Sequence, residues 1–257
     1  MITSRAWRSS AATRQVASSC ASLISFGASP GALVLDAHHH DADRLPVAAA
    51  IARHLQLDIS DGDAADIVSS SDQGRDILDP SDVAAWWDGL DAGDRAIASG
   101  ALSPYLDHSP GHGLGPITWA PELFFIGDQP GVSATGGIDI TGRARCLLHG
   151  PHIMLPPAIW SFSVAVDMSP EAAEHSILVE AAAGRGVSRA VLRPAAAGLV
   201  EADLMLGFDE LPDRRVELLL STQRPAFAGH LTLVRVTLTP HPPTAIDAAA
   251  DASAADP

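Results

Sequence analysis

The chain contains no lysine. All 16 of its basic residues are arginine, set against 31 aspartates and glutamates. The resulting net charge of −15 repels phosphate backbones, and no dense arginine stripe overrides it, so nucleic acid is not the expected partner. Tyrosine occurs once and aromatics make up only 5% of residues, which leaves few planes on which a sugar could stack. Cysteine occurs twice, at Cys20 and Cys146, without CxxC spacing. That excludes a disulfide framework, and two reduced thiols fit a cytoplasmic protein. No apolar run approaches the roughly 20 residues of a membrane span. The stretch from Ala11 to Phe26 is interrupted by Arg14, Gln15 and several serines, and so lacks the apolar core of a secretory leader. No P-loop, dinucleotide fingerprint, zinc-ribbon spacing or internal repeat is present, and no cofactor is expected.

What is present suffices for a substantial core: 257 residues, 47% of them hydrophobic. Composition divides the chain into zones. Residues 1–78 are expected to form a small Ala- and Ser-rich region, α/β, helical or partly disordered, in which the short strand Ala32–Leu35 precedes a helix starting near Pro46. Residues 79–115 read as a helical hairpin and linker. Asp79-Pro80-Ser81 offers a cap to its first helix, Asp91 opens the second, and Pro104 is expected to end it. The Gly-, Pro- and His-rich loop His108–Pro116 marks a boundary, and residues 241–257, Ala- and Asp-rich, are expected to form a disordered tail.

Between them, residues 116–240 change period. From Trp160 to Met168 large apolar residues occupy every even position and small or polar ones every odd position, the pattern of a strand with one buried face. The same alternation recurs at Val200–Phe208, Val216–Leu220 and His230–Leu238. Shorter candidates lie at Leu123–Ile126, Arg145–His149, Ile177–Ala181 and Ser188–Leu192. About eight strands separated by turn residues predict a jelly-roll-like antiparallel β-sandwich, and the fold class as a whole is α+β.

Several motifs bear on chemistry. Gly27-Ala28-Ser29-Pro30-Gly31 fits G-x-S-x-G, but Pro30 has no N–H for an oxyanion hole and a strand follows where a helix is required. The stretch is read as a turn. His38, His40 and Asp41, after the strand Ala32–Leu35, are ligand types suited to zinc or iron, yet the HxHxDH pattern fails at Ala42 and Asp43. A solvated loop is the expectation there, and a metal the alternative. His149-Gly150-Pro151-His152 reads either as a tight connection between strands or as a binding edge. With Trp119, these two histidines are the candidate ligand-binding residues. Glu201 and Asp203 share one strand face, where a solvated surface is the expectation, since glycosidase carboxylates normally face each other from different elements. No complete catalytic apparatus is visible.

The stretch Arg145–Met168, with its Gly150-Pro151-His152-Ile153-x-Leu155-Pro156 core before an alternating strand, resembles accessory β-sandwich domains of bacterial surface-polysaccharide enzymes. Those domains carry a Gly-Pro-Tyr-x-x-Leu-Pro-x-Gly-x-Tyr segment. Here His152 replaces the first Tyr, Ala158 the Gly and Trp160 the second Tyr. The resemblance covers about 100 residues and implies a carbohydrate-related setting beside a glycosyltransferase. A strand ending in Asp36 and leading to a helix that closes on His54-Leu55-Gln56-Leu57 resembles, over Ala32 to Val68, the end of a sulfotransferase-like domain, whose phosphosulfate-binding loop this chain lacks. Two functions are therefore expected in order. The first is a non-catalytic sandwich that binds polysaccharide or docks a glycosyltransferase. The second is a metal-dependent or transferase enzyme centred on Asp36–Asp43.

Overall fold

Alternating apolar residues build the C-terminal part of this chain into strands, and small residues pack two helices onto them. A computed structural model describes residues 5–34, 45–58, 60–71, 84–85, 87–108, 113–129, 131–209 and 215–241. They fall into two compact units, Met1–Ser25 with Asp91–Pro257, and Phe26–Leu90. This division differs from the one composition draws, because the N-terminal helix and the helix from Ala92 share the sandwich's core.

The smaller unit contains helices α2 (Leu45–His54) and α3 (Asp61–Ser71). α2 ends with Gln56 in the left-handed region (φ 56°), and its carbonyls are closed by Leu57 N–H to Ala52 and Gln56 N–H to Arg53. Ser60 caps α3 through reciprocal bonds with Asp63. The expected strand at Ala32–Leu35 does not form over Ala32–Val34, and Leu35 lies outside the described residues.

The larger unit is an antiparallel sandwich. In one sheet, β1 (Ile117–Trp119), β10 (His230–His241), β5 (Ala158–Met168) and β8 (Gly198–Phe208) lie in that order, and β3 (Ile138–Asp139) also pairs with β10. The other has the order β2 (Phe125–Ile126), β4 (Cys146–Ile153), β9 (Val216–Thr222), β6 (Ile177–Ala183), β7 (Gly186–Leu192). Along β5, Trp160, Phe162, Val164, Val166 and Met168 are all buried, as the alternation predicts. They meet Leu148, Val179, Leu218 and Leu220 of the second sheet in one core. Where β10 shifts register between Leu233 and Arg235, the inserted residue moves the buried phase from Leu231 and Leu233 to Val236 and Leu238.

Helix α1 (Arg5–Gly27) lies on this sandwich. Ala17 and Ala21 are buried in the shared core, and the Met154 N–H donates to Ser18 Oγ at 3.1 Å. Small side chains let the helix backbone come this close. Helix α4 (Ala92–Leu106) is capped by Asp91, which accepts from the Asp94 N–H at 2.8 Å. Its Gly100 sits so near β1 that an added Cβ would be 3.1 Å from the Thr118 carbonyl oxygen. Pro104 does not end α4, which runs on to Leu106. In the last turn a proline forfeits one backbone bond only, so the helix tolerates it. A single turn, α5 (Pro170–Ala173), links β5 to β6 and is capped by Ser169.

Candidate functional site

The segment His149-Gly150-Pro151-His152 is not a connection between strands: all four residues lie inside β4, and the chain turns only after Ile153. The Gly150–Pro151 peptide is cis, and His152 has φ 60°. Opposite them, β9 pairs Leu219 with His149 and Glu217 with Pro151, and the register shifts before Ile153 pairs with Val216. Residues three apart in a regular strand point to opposite faces. The bulge at His152 removes that offset, so both imidazoles emerge on the outer face of the sheet.

There they meet Glu217, which alternates outward between buried Val216 and Leu218. His149 Nδ1 is 3.3 Å from His152 Nε2, and Glu217 Oε1 is 3.4 Å from the first and 3.7 Å from the second. The side chains are 30%, 38% and 34% exposed in the order His149, His152, Glu217, so solvent reaches all three. The Phe125 ring of β2, half-buried, lies 5.7 Å from His149. The Arg14 guanidinium sits 4.6 Å over that ring and donates to the Leu123 carbonyl at 3.2 Å. Arg215 approaches from the start of β9 and donates to Gln15 Oε1. Partial burial holds His152 below its ordinary value of 6.5, against the opposing pull of Glu217; His149, Arg14 and Arg215 reinforce the shift. Among the described residues this is the cluster of His, Cys, Asp and Glu whose ligand atoms lie close enough to share a metal ion.

The other sequence candidates do not join it. Trp119 is fully buried, packed edge-on against Phe124 and Phe162 at 6.3 and 6.1 Å, and so presents no plane to a ligand. Its place on β1, with Ile117 buried beside it, puts it on the inward phase. His38, His40 and Asp41, like the whole Asp36–Asp43 loop, lie outside the described residues. Ser29 is exposed in a turn after α1, with a helix before it and no strand, the reverse of a nucleophile elbow. Glu201 and Asp203 are both exposed on β8, and Glu201 pairs with Arg235.

Glu217 and Arg14 are the participants that sequence reasoning missed. The outward position of Glu217 in an alternating strand was legible, but its partner strand was not. Among the described residues, hollows also lie elsewhere. One of about 660 Å³ is mostly apolar, bordered by Pro157, Ile159, Phe208 and His241. One of about 540 Å³ is polar, bordered by His175, Arg193 and Arg224. Neither includes a candidate residue from the sequence. Among the described residues, no helix is long and apolar enough to cross a membrane.

No family model and no curated protein matches the chain. Among solved structures it is similar to an arabinose-bound α-L-arabinofuranosidase, with 9% identity and a TM-score of 0.28 over 41% of this chain and 18% of that one. It is also similar to a family 11 carbohydrate-binding module from Clostridium thermocellum in complex with a β-1,3-1,4-mixed-linked tetrasaccharide. That match has 10% identity and a TM-score of 0.23 over 51% of this chain and 92% of the module. The chain thus spans less than a fifth of the arabinofuranosidase's length.

Proposed function

We propose that this chain is a non-catalytic β-sandwich protein of bacterial surface-polysaccharide biosynthesis, and that it binds glycan on the outer face of its second sheet. The observation that carries this reading is the grouping of Phe125, His149, His152 and Glu217 side by side on that face, within reach of solvent. Sugars are held by hydrogen bonds to their hydroxyls and by contact of their apolar faces with rings. Two imidazoles and a carboxylate supply donors and acceptors, and Phe125 supplies the ring. The cluster contains no hydroxyl or thiol nucleophile, which suits recognition better than turnover. The biosynthetic setting rests on the resemblance of Arg145–Met168, and the cytoplasmic one on the two free thiols, Cys20 and Cys146.

Affinity electrophoresis against neutral and acidic bacterial polysaccharides tests the proposal. Retardation that disappears in His149→Ala/His152→Ala, with the thermal melt unchanged, is the expected result. Migration unaffected by every polysaccharide would remove the glycan reading. The same face would then be tested as a docking surface by co-purification with a glycosyltransferase.

A further inference from the structure

We infer that His149, His152 and Glu217 form a binding site for a divalent transition metal, with zinc as the best fit. Zinc bonds imidazole nitrogen and carboxylate oxygen at about 2.0–2.2 Å, so in a tetrahedral site neighbouring ligand atoms stand roughly 3.3–3.6 Å apart. Octahedral coordination at the same bond lengths would bring adjacent ligand atoms to about 3 Å. Of the three separations here, 3.3 and 3.4 Å fall within the tetrahedral range and 3.7 Å lies just above it, all three well beyond the octahedral spacing. The donor set of two imidazoles and one carboxylate suits zinc and its neighbours and disfavours calcium and magnesium, which take oxygen ligands.

The fold also supplies what such a site requires. Its ligands come from two hydrogen-bonded strands, with β9 holding Glu217 in register beside β4. The bulge at His152 is the feature that makes the site possible, because without it the two imidazoles would lie on opposite faces. A third of each side chain faces solvent, giving an ion an open route in and leaving the fourth coordination position to water or an exogenous ligand. Arg14 and Arg215 stand within electrostatic reach of His152. They weaken the attraction for a cation and, once it is bound, favour an anionic oxygen at that fourth position. The inference does not depend on glycan binding.

The test is titration of the EDTA-stripped full chain with zinc chloride, and separately with magnesium and calcium chloride, by calorimetry in the absence of any polysaccharide. Zinc should bind this site at one ion per chain and raise the melting temperature, while magnesium and calcium do neither. His149→Ala, His152→Ala and Glu217→Gln should each weaken that binding by at least the 10–100-fold that loss of a supporting contact costs. Their metal-free melts should match the parent. Glu217→Gln preserves shape and carries the test should either alanine variant misfold. The consecutive His38, His39 and His40 are a second possible zinc binder, so a variant with all three changed to alanine is titrated in parallel and should keep the site. The inference is overturned if zinc does not bind. It is equally overturned if binding persists without His149 and His152 but vanishes with the His38–His40 variant.

Discussion

The guanidinium of Arg14, in the N-terminal helix, lies 4.6 Å from the centre of the Phe125 ring and donates to the carbonyl of Leu123, so one side chain fastens α1 to the rim of the second sheet. Arg14 is buried at this contact. Arg14→Ala should therefore cost about 1.5–3 kcal/mol, the range for a hydrogen bond to a charged group. Arg14→Lys should recover little of it, because an ammonium lacks the planar stack over the ring. Equilibrium denaturation of both variants decides this, and a silent Arg14→Ala would mean that the other contacts of α1, through Ala17, Ser18 and Ala21 among others, suffice to hold it.

Removal of Met1–Ser25 extends that argument. The truncated chain should keep a β-type circular dichroism spectrum, since every strand pairing is retained. It should melt at lower temperature and bind a hydrophobic dye, because the core surface under Ala17 and Ala21 is uncovered. An unchanged melt would show that the helix is a passenger.

Phe162 and Ser163 test the register of β5. Phe162 is fully buried against Trp119, so Phe162→Ala should destabilise by about 3–5 kcal/mol. Ser163→Ala, on the outer phase, should change stability by less than ~0.5 kcal/mol. Equal costs at the two positions would contradict the alternation.

Two glycines separate backbone strain from crowding. Gly198 and Gly229 both have positive φ, 111° and 124°. A Cβ on Gly198 would meet nothing within 4 Å, whereas one on Gly229 would lie 2.7 Å from the Ala172 backbone nitrogen. Gly198→Ala should cost roughly 1–2 kcal/mol from conformation alone. Gly229→Ala should cost more by about another 1–3 kcal/mol, as overpacking does. Thermal melts of the pair would read the difference.

Asp139 supplies the pH prediction. Hydrogen bonds from Thr141, including its backbone N–H at 2.8 Å, hold this carboxyl below its ordinary 3.8, helped by His230 and Arg145. A depressed carboxylate contributes stability that is present above 3.8 and is lost as pH falls through the folded value. Carboxyl-carbon NMR should therefore find Asp139 titrating below 3.8, and Thr141→Ala should move it upward. A titration at or above 3.8 would contradict the turn geometry.

Much of the sandwich was readable from local pattern, because alternation with period two is a property of neighbouring residues. Trp160 to Met168 displays it without interruption, and the strand follows. β1 and β3 were missed: three and two residues are too short to show a period, and pairing with β10 is what makes them strands. α1 was missed for another reason. Its buried residues are Ser10, Thr13, Arg14, Ala17, Ser18 and Ala21, which show almost no hydrophobic contrast with the rest of the helix, and only the sheet beneath them makes that face an interior one.

The site divides along the same line. His149 and His152 drew attention in the sequence as two histidines around Gly-Pro, and their chemistry was legible there. That both face outward beside Glu217 depended on a bulge and on which strand pairs with β4, and register between distant strands is a property of the assembled sheet. Trp119 shows the converse. Its type suggested a sugar platform, and only the packing of Phe124 and Phe162 against it decided that it is core. Residue type and local period were thus set by the sequence alone, whereas the facing of each side chain and the company it keeps came from tertiary contacts that no single segment encodes.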